Sequence, residues 1–412
     1  MPLLAALLAC ALMWGSPVAS AAPVAPAVAK IGARAAIVIE PDTGEVLYAR
    51  RANTREPIAS TTKLMTALLT LQHEPLNRRF TVAYYPAGSD ESTIGLRAGE
   101  RLSVADLLRA MLLASANEAA YTLALRVGGS EAAFVREMNA EASALGLTPG
   151  THYATPVGLD VAGNYSTAAD LVRLAEIDLR YAFFARTVDE ATVRLRTGAH
   201  PRTVTNRNDL VGRYPFVDGV KTGHTSRAGY VLVAGARSHG VRLLSVVLGD
   251  RSIAARDADT LVLLRYGLSR YDPLVAVRAG QVLAHAGVRF AGGRVALVAA
   301  RTVTAVAQLG QRAQLSVAGV PARLSGPLAA GTREGTVTVR LRGSVIARVA
   351  LVTTRALPAP TLGQRLRDYL SGATTILLLV VLVACSLMLV ALRRRALRLA
   401  RARRDQRAVG NG

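Results

Sequence analysis

Residues 373–392 run for 20 positions without a charged side chain, about 30 Å of α-helix, which matches the hydrocarbon thickness of a bilayer. This segment is expected to span a membrane. Arg393, Arg394, Arg395, Arg398, Arg401, Arg403, Arg404 and Arg407 follow at once. Because basic residues are retained on the cytoplasmic side, residues 393–412 are predicted to form a cytoplasmic tail, with everything before the span outside. The other end agrees with export. Residues 3–14 are apolar and lead through Gly15 and Pro17 to Ala19-Ser20-Ala21, the pattern of a secretory signal over 1–21 cleaved before Ala22. Its first residues carry no Lys or Arg, and the nine residues before Cys10 are too few for a lipoprotein signal.

What lies between must fold as an exported protein. With 412 residues, 51% of them hydrophobic, the chain can bury two cores. Cys10 falls in the expected signal and Cys385 in the expected span, so no disulfide is available to brace the exported part. The formal charge is +22, of which the tail supplies +7 and the rest +15. A basic exported surface would be held near anionic wall polymers and lipid headgroups of the cytoplasmic membrane. A general preference for arginine explains the excess equally well. Nucleic acid is not expected as a partner outside the membrane.

Of the 50 basic residues only Lys30, Lys63 and Lys221 are lysines. Arg stays protonated in a protein, whereas a Lys amine can be driven toward neutrality by burial or a nearby cation and then accept a proton. Each lysine retained in such a chain therefore asks for a chemical reason. Lys30 lies in an N-terminal stretch expected to be loose over 22–34, and has none. Lys63 follows Pro57-Ile58-Ala59-Ser60 at the head of a run of helix formers with apolar residues at helical spacing, which places Ser60 in the first turn of a helix. Positions i and i+3 share a face, so the Lys63 amine reaches the Ser60 hydroxyl, beside a helix N-terminus that favours developing negative charge. That is a nucleophile with its own base. Alone, Ser-x-x-Lys also fits a capped amphipathic helix.

Ser115-Ala116-Asn117 stands at the exit of an apolar helix predicted over Val104–Leu113. Ser115 can relay a proton, and Asn117 can bridge a lysine amine and a substrate amide. The same residues would equally serve as a helix cap. Lys221-Thr222-Gly223-His224 lies in alternating β-branched sequence that continues between glycines through 229–237 and 241–248, a run of antiparallel strands. On that strand Lys221 offers a second ammonium to lower the pKa of Lys63, Thr222 can bind a carboxylate, and Gly223 lets a substrate backbone lie flat. A plain strand with a loop lysine does not explain why the three elements occur together and in this order.

Ser60-x-x-Lys63, Ser115-x-Asn117 and Lys221-Thr222-Gly223 resemble the three motifs of serine penicillin-recognising enzymes. Residues 57–65, 115–118, 155–160 and 218–225 resemble, more narrowly, the low-molecular-mass penicillin-binding proteins that are serine-type D-alanyl-D-alanine carboxypeptidases. That resemblance covers residues 35–267, and residues 272–351 are similar to the same family's small β-sandwich domain. It implies that Ser60 is acylated with Lys63 as base, and that the backbone N–H groups of Ser60 and His224 form the oxyanion hole. It also implies that Arg207 and Arg256 assist the terminal carboxylate of the substrate. The implied reaction removes the terminal D-Ala from peptidoglycan stem peptides, is blocked covalently by β-lactam antibiotics, and needs no metal or organic cofactor. His152 is expected to be structural. A DD-endopeptidase would use the same site. A β-lactamase would need a separate Glu to activate water, and no Glu-x-x-x-Asn string lies between the second and third motifs. A non-enzymatic wall-binding scaffold would not need complete motifs.

The expected fold is α+β, a penicillin-binding/serine β-lactamase-like domain over 35–271. In it the hairpin Ala35–Glu40 and Glu45–Arg50 joins the strands after Lys221 in one antiparallel sheet flanked by helices, and an α-helical lobe over 103–180 covers the cleft. A small β-sandwich over 272–353, a stalk with an amphipathic segment over 354–372 and the transmembrane helix over 373–392 follow. Members of the resembling family often stop at the amphipathic segment, whereas this chain adds a span and an arginine tail.

Overall fold

The computed structural model describes residues 30–409; the expected signal over 1–21 and residues 22–29 lie outside them. The chain divides into two compact units. The first comprises the described residues up to Asp272 with Gln308–Gly310, the second Pro273–Ala307 and the residues from Gln311 onward.

Strand Ala35–Glu40 is a run of small and β-branched residues buried along its whole length. A strand like this needs cover on both faces, and that requirement organises the first unit. It lies second in an antiparallel sheet ordered Glu45–Arg50, Ala35–Glu40, Val241–Asp250, Gly229–Ser238, Val217–Thr225. Ile37 pairs with Val246 and Ile39 with Leu244. These four join the core shared with helices α1 (Lys63–His73), α2 (Val104–Leu113), α3 (Asn117–Gly128), α4 (Glu131–Ala144), α5 (Ala168–Asp178) and α6 (Ala182–Val188). By alternation Val38 faces the other way, toward α7 (Ile253–Leu268). There Gly267 permits close packing, since a Cβ would stand 2.6 Å from Leu243 Cδ1 and 3.5 Å from Val38 Cγ2. Ser103, Ser130, Thr167 and Ser252 each start a helix by accepting a backbone N–H from Asp106, Ala133, Asp170 and Ala255, contacts worth about 1 kcal/mol apiece.

The stretch expected to be loose over 22–34 is tied down at its described end. Ile31 and Ala33 are buried, and the N–H groups of Gly32 and Ala33 donate to Asp259 Oδ2 at 2.6 and 2.8 Å. The anchoring carboxylate lies 226 residues from Ala33 in sequence, so local composition gives no sign of it.

In the second unit a six-stranded sheet runs in the order Gln314–Ala318, Arg333–Leu341, Ser344–Thr353, Arg294–Ala299, Val282–Val288, Arg323–Leu324. Its last pair is parallel and the others antiparallel. Val295, Leu297, Val337, Val339, Val349 and Leu351 alternate along three strands to form its core. Helix α8 (Leu362–Leu370) opens with a capping box between Thr361 and Gln364 and exposes Leu362, Leu366, Tyr369 and Leu370. Helix α9 (Ala373–Val409) follows, and its segment Ala373–Ala400 is long and apolar enough to cross a membrane, which fits a membrane anchor. The tail expected as a separate segment over 393–412 continues the same helix as far as Val409, because Arg, Ala and Leu are strong helix formers and no Gly or Pro interrupts them.

Candidate active site

A 3-10 turn, Ala59–Thr62, leads into α1 and sets Ser60 one turn ahead of Lys63. Lys63 is fully buried. Its Nζ lies 2.7 Å from Ser60 Oγ, 2.7 Å from Asn117 Oδ1, 2.8 Å from the Val157 carbonyl oxygen and 3.4 Å from Ser115 Oγ. Asn117 Oδ1 and Val157 O can only accept, so they engage two N–H groups of the amine. In the neutral form the remaining lone pair is then left for the Ser60 hydroxyl. Burial, and after it the charge of Arg207, lowers the Lys63 pKa to about 7, while Glu91 and Glu118 act to raise it.

Val157 is held in place by its neighbours in the segment 155–160. The Pro156 carbonyl accepts from Thr66 Oγ1 of α1 at 2.7 Å, and Asp160 accepts from Thr225 Oγ1 at 2.6 Å and from the Arg227 N–H at 2.9 Å. The segment therefore fastens α1 to the end of strand Val217–Thr225. Ser115 connects α2 to α3 with φ +60°, a left-handed conformation that costs a non-glycine about 1–2 kcal/mol and turns the chain so that Asn117 opens α3. The Asn117 N–H donates to the Ser92 carbonyl at 2.7 Å. Its Nδ2 donates to Glu91 Oε2 at 2.6 Å, and the Tyr85 hydroxyl donates to the same oxygen.

Lys221 is buried and its Nζ donates to the Thr222 carbonyl at 3.0 Å. Burial first, then the charges of Lys63, Arg207 and Arg256, push its pKa well below the usual lysine range. The sequence led us to expect Lys221 to be the cation that lowers Lys63. Arg207 is a further cation acting on Lys63, and the repulsion between Lys63 and Lys221 disfavours charge on the pair. Arg207 is presented by the asparagines on either side of it. Asn206 Nδ2 donates to the Val188 and Glu190 carbonyls at 3.1 Å, and Asn208 Nδ2 to the Gly219 carbonyl at 2.7 Å. Gly223 also makes room within the fold: a Cβ there would stand 2.7 Å from Val231 Cγ2, 2.9 Å from Ser60 N and 3.0 Å from Ala59 Cβ. His224 is exposed and stacks on Tyr230 with ring centroids 4.0 Å apart.

A family described as D-alanyl-D-alanine carboxypeptidase matches residues 20–252. The chain belongs to this family. It is 30% identical over 324 residues to the D-alanyl-D-alanine carboxypeptidase DacF of Bacillus subtilis, covering 76% of this chain and 83% of that protein. To DacA of Escherichia coli, also a D-alanyl-D-alanine carboxypeptidase, it is 30% identical over 360 residues, 84% and 88% of the two chains. The crystal structure of penicillin binding protein 5 from Haemophilus influenzae superposes with a TM-score of 0.56 at 28% identity, covering 80% of this chain and 98% of that one. The penicillin-binding fold and its α+β character follow.

In this carboxypeptidase Arg256 is paired with an acid beside it. It is 3% exposed, and its Nε and Nη2 both donate to Asp257 Oδ1 at 2.8 and 2.7 Å. Its charge is among those that lower the Lys221 pKa. His152 is structural in its contacts, with Nδ1 2.6 Å from the Gly163 carbonyl and its ring stacked on Tyr165. Two contributors to the carboxypeptidase site escaped the sequence reading. Val157 acts through a backbone carbonyl, which no side-chain motif reveals, and Glu91 lies in a polar loop string, Ser89-Asp90-Glu91-Ser92, where an acid is unremarkable.

Proposed function

We propose that this serine-type D-alanyl-D-alanine carboxypeptidase acylates Ser60, with Lys63 as the base, to remove the terminal D-Ala of peptidoglycan stem peptides. The observation that carries this reading is the buried Lys63 amine, 2.7 Å from Ser60 Oγ, with two of its positions already engaged by acceptors. Neutral Lys63 takes the hydroxyl proton as Ser60 Oγ bonds to the carbonyl carbon of the penultimate D-Ala. The C–N bond breaks, and the leaving amine receives that proton through Ser115. Water then adds to the ester, the acyl group leaves as a carboxylic acid, and Ser60 recovers its proton. The N–H groups of Ser60 and His224 hold the oxyanion, while Arg207 attracts, and Lys221 and Thr222 hydrogen-bond, the free carboxylate that only a chain terminus carries. β-Lactams inhibit by the same acylation. The arginines after Leu392 favour the cytoplasm, which keeps the catalytic unit outside the cytoplasmic membrane, where peptidoglycan lies.

Release of D-Ala from a pentapeptide ending in D-Ala-D-Ala tests this against pH. A lysine with lowered pKa is neutral above that pKa, and the base is the neutral form. The rate should therefore rise with pH through an apparent pKa of about 7 and level off above it. A profile flat from about pH 5 to pH 9 would remove Lys63 from the role of base.

A further inference from the structure

Asn117 can serve Lys63 in only one of its two amide orientations. With Oδ1 toward Nζ it accepts an N–H and leaves the lone pair of the neutral amine for Ser60. With Nδ2 toward Nζ it would itself claim that lone pair, and the base would be lost although every residue remained in place. No contact between Asn117 and Lys63 alone decides between the two. The decision lies on the far side of the amide, where Nδ2 meets Glu91 Oε2 at 2.6 Å. A carboxylate can only accept, so the group facing it must be the NH₂.

We infer that Glu91 is a positioning residue of this carboxypeptidase, which locks the Asn117 amide so that its oxygen faces Lys63 and thereby aims the lysine lone pair at Ser60. The inference rests on the assignment of Lys63 as base. Glu91 is in turn fixed by two donors of its own loop and by the anchoring of the residue next to it. The Tyr85 hydroxyl donates to Oε2, the Gly88 N–H donates to Oε1 at 3.2 Å, and the Ser92 carbonyl beside it takes the Asn117 N–H at 2.7 Å. The loop bearing Glu91 is anchored to α3 further on, where Glu118 Oε1 accepts from the Ile94 and Leu96 N–H groups at 2.7 and 3.3 Å. Partial burial acts to raise the Glu91 pKa, but hydrogen bonds from Tyr85 and Asn117 outweigh it and hold the carboxyl below its usual range. It is therefore ionised throughout the range in which Lys63 titrates.

Glu91 then has two separable effects, one of orientation and one of charge, and two substitutions divide them. Glu91→Gln keeps an acceptor oxygen for Asn117 Nδ2 and removes the negative charge. Glu91→Ala removes both. The groups whose charges bear on Lys63 are Arg207, which lowers its pKa, Glu91 and Glu118, which raise it, and Lys221, whose mutual repulsion with Lys63 disfavours charge on the pair. Losing Glu91 therefore favours neutral Lys63 at lower pH.

The test is the second-order rate of Ser60 acylation by benzylpenicillin as a function of pH, measured on the full-length wild type and both variants, with thermal melting as a check on folding. In Glu91→Gln the acidic limb should move to lower pH while the plateau falls only about threefold. In Glu91→Ala the plateau should fall by about thirtyfold or more, since the amide is free to turn. A merely structural role would lower the melting temperature and leave the plateau of the folded enzyme unchanged. Equal plateaus in Glu91→Ala and wild type, or a glutamine plateau as low as that of alanine, would overturn the inference alone. Absence of acylation in the wild type would overturn it together with the proposed base. If Glu91→Ala melts early, its plateau is read below its own melting transition, and a wild-type plateau there still overturns the inference.

Discussion

Lys63→Arg should lower the rate of Ser60 acylation by about a thousandfold, within the range general-base groups contribute. The substitution preserves positive charge and hydrogen-bond donors, so it isolates the one property that lysine has and arginine lacks. A guanidinium stays protonated and has no lone pair to offer the hydroxyl. The surroundings of Lys63 lower its pKa to about 7, chiefly by burial, and the same surroundings would leave an arginine charged and inert. Lys63→Met, of similar length and without charge, should lose as much. The measurement is the rate of labelled-penicillin incorporation at saturating pH, with thermal melting run alongside. Normal incorporation by the arginine variant would show that Ser60 takes its proton elsewhere.

Gly158→Ala should be the most damaging single-methyl change near the site. Gly158 has φ +89°, and a Cβ there would stand 2.1 Å from the Ala59 carbonyl oxygen, 2.5 Å from its carbon and 3.0 Å from Ser60 N. All three are backbone atoms of the turn that carries the nucleophile, and none can swing aside as a side-chain tip could. The left-handed backbone and the overlap together should cost about 3 kcal/mol or more, enough to lower the melting temperature by about 10 °C. Acylation should fall as well, because relief of the clash displaces Ser60. Gly44→Ala supplies the comparison, since Gly44 has φ +72° but nothing within 4 Å of a new Cβ. It should show only the backbone cost. Equal melting temperatures for the two variants would show that the Ser60 turn yields to the methyl group.

The parts of the site that could be read from sequence are those set by local periodicity. Helical spacing alone brings Lys63 onto the face of Ser60, and alternation with glycine boundaries places Lys221 on a strand. The hairpin Ala35–Glu40 and Glu45–Arg50 was legible for the same reason, as was the apolar helix ending at Leu113. What could not be read depends on contacts between distant segments. Arg207 bears on Lys63 because Asn206 and Asn208 fasten its loop to the Val188 and Gly219 carbonyls. Gly223 is required by Ala59 and Ser60, which are far away in the chain and adjacent only once the strand meets the turn. Arg256 pairs with the next residue, Asp257, a contact that motif spacing does not show. The string 155–160 was legible as a resemblance, yet its physical work, binding α1 through Pro156 and the strand end through Asp160, appears only in three dimensions.

Mass mapping of the peptide modified by labelled penicillin tests the central assignment most directly. The label should be found on Ser60 in the wild-type chain, and a Ser60→Ala variant with wild-type melting behaviour should take up none. Label retained by Ser60→Ala, or mapped to any other residue, would contradict the acyl-enzyme placed at the head of α1.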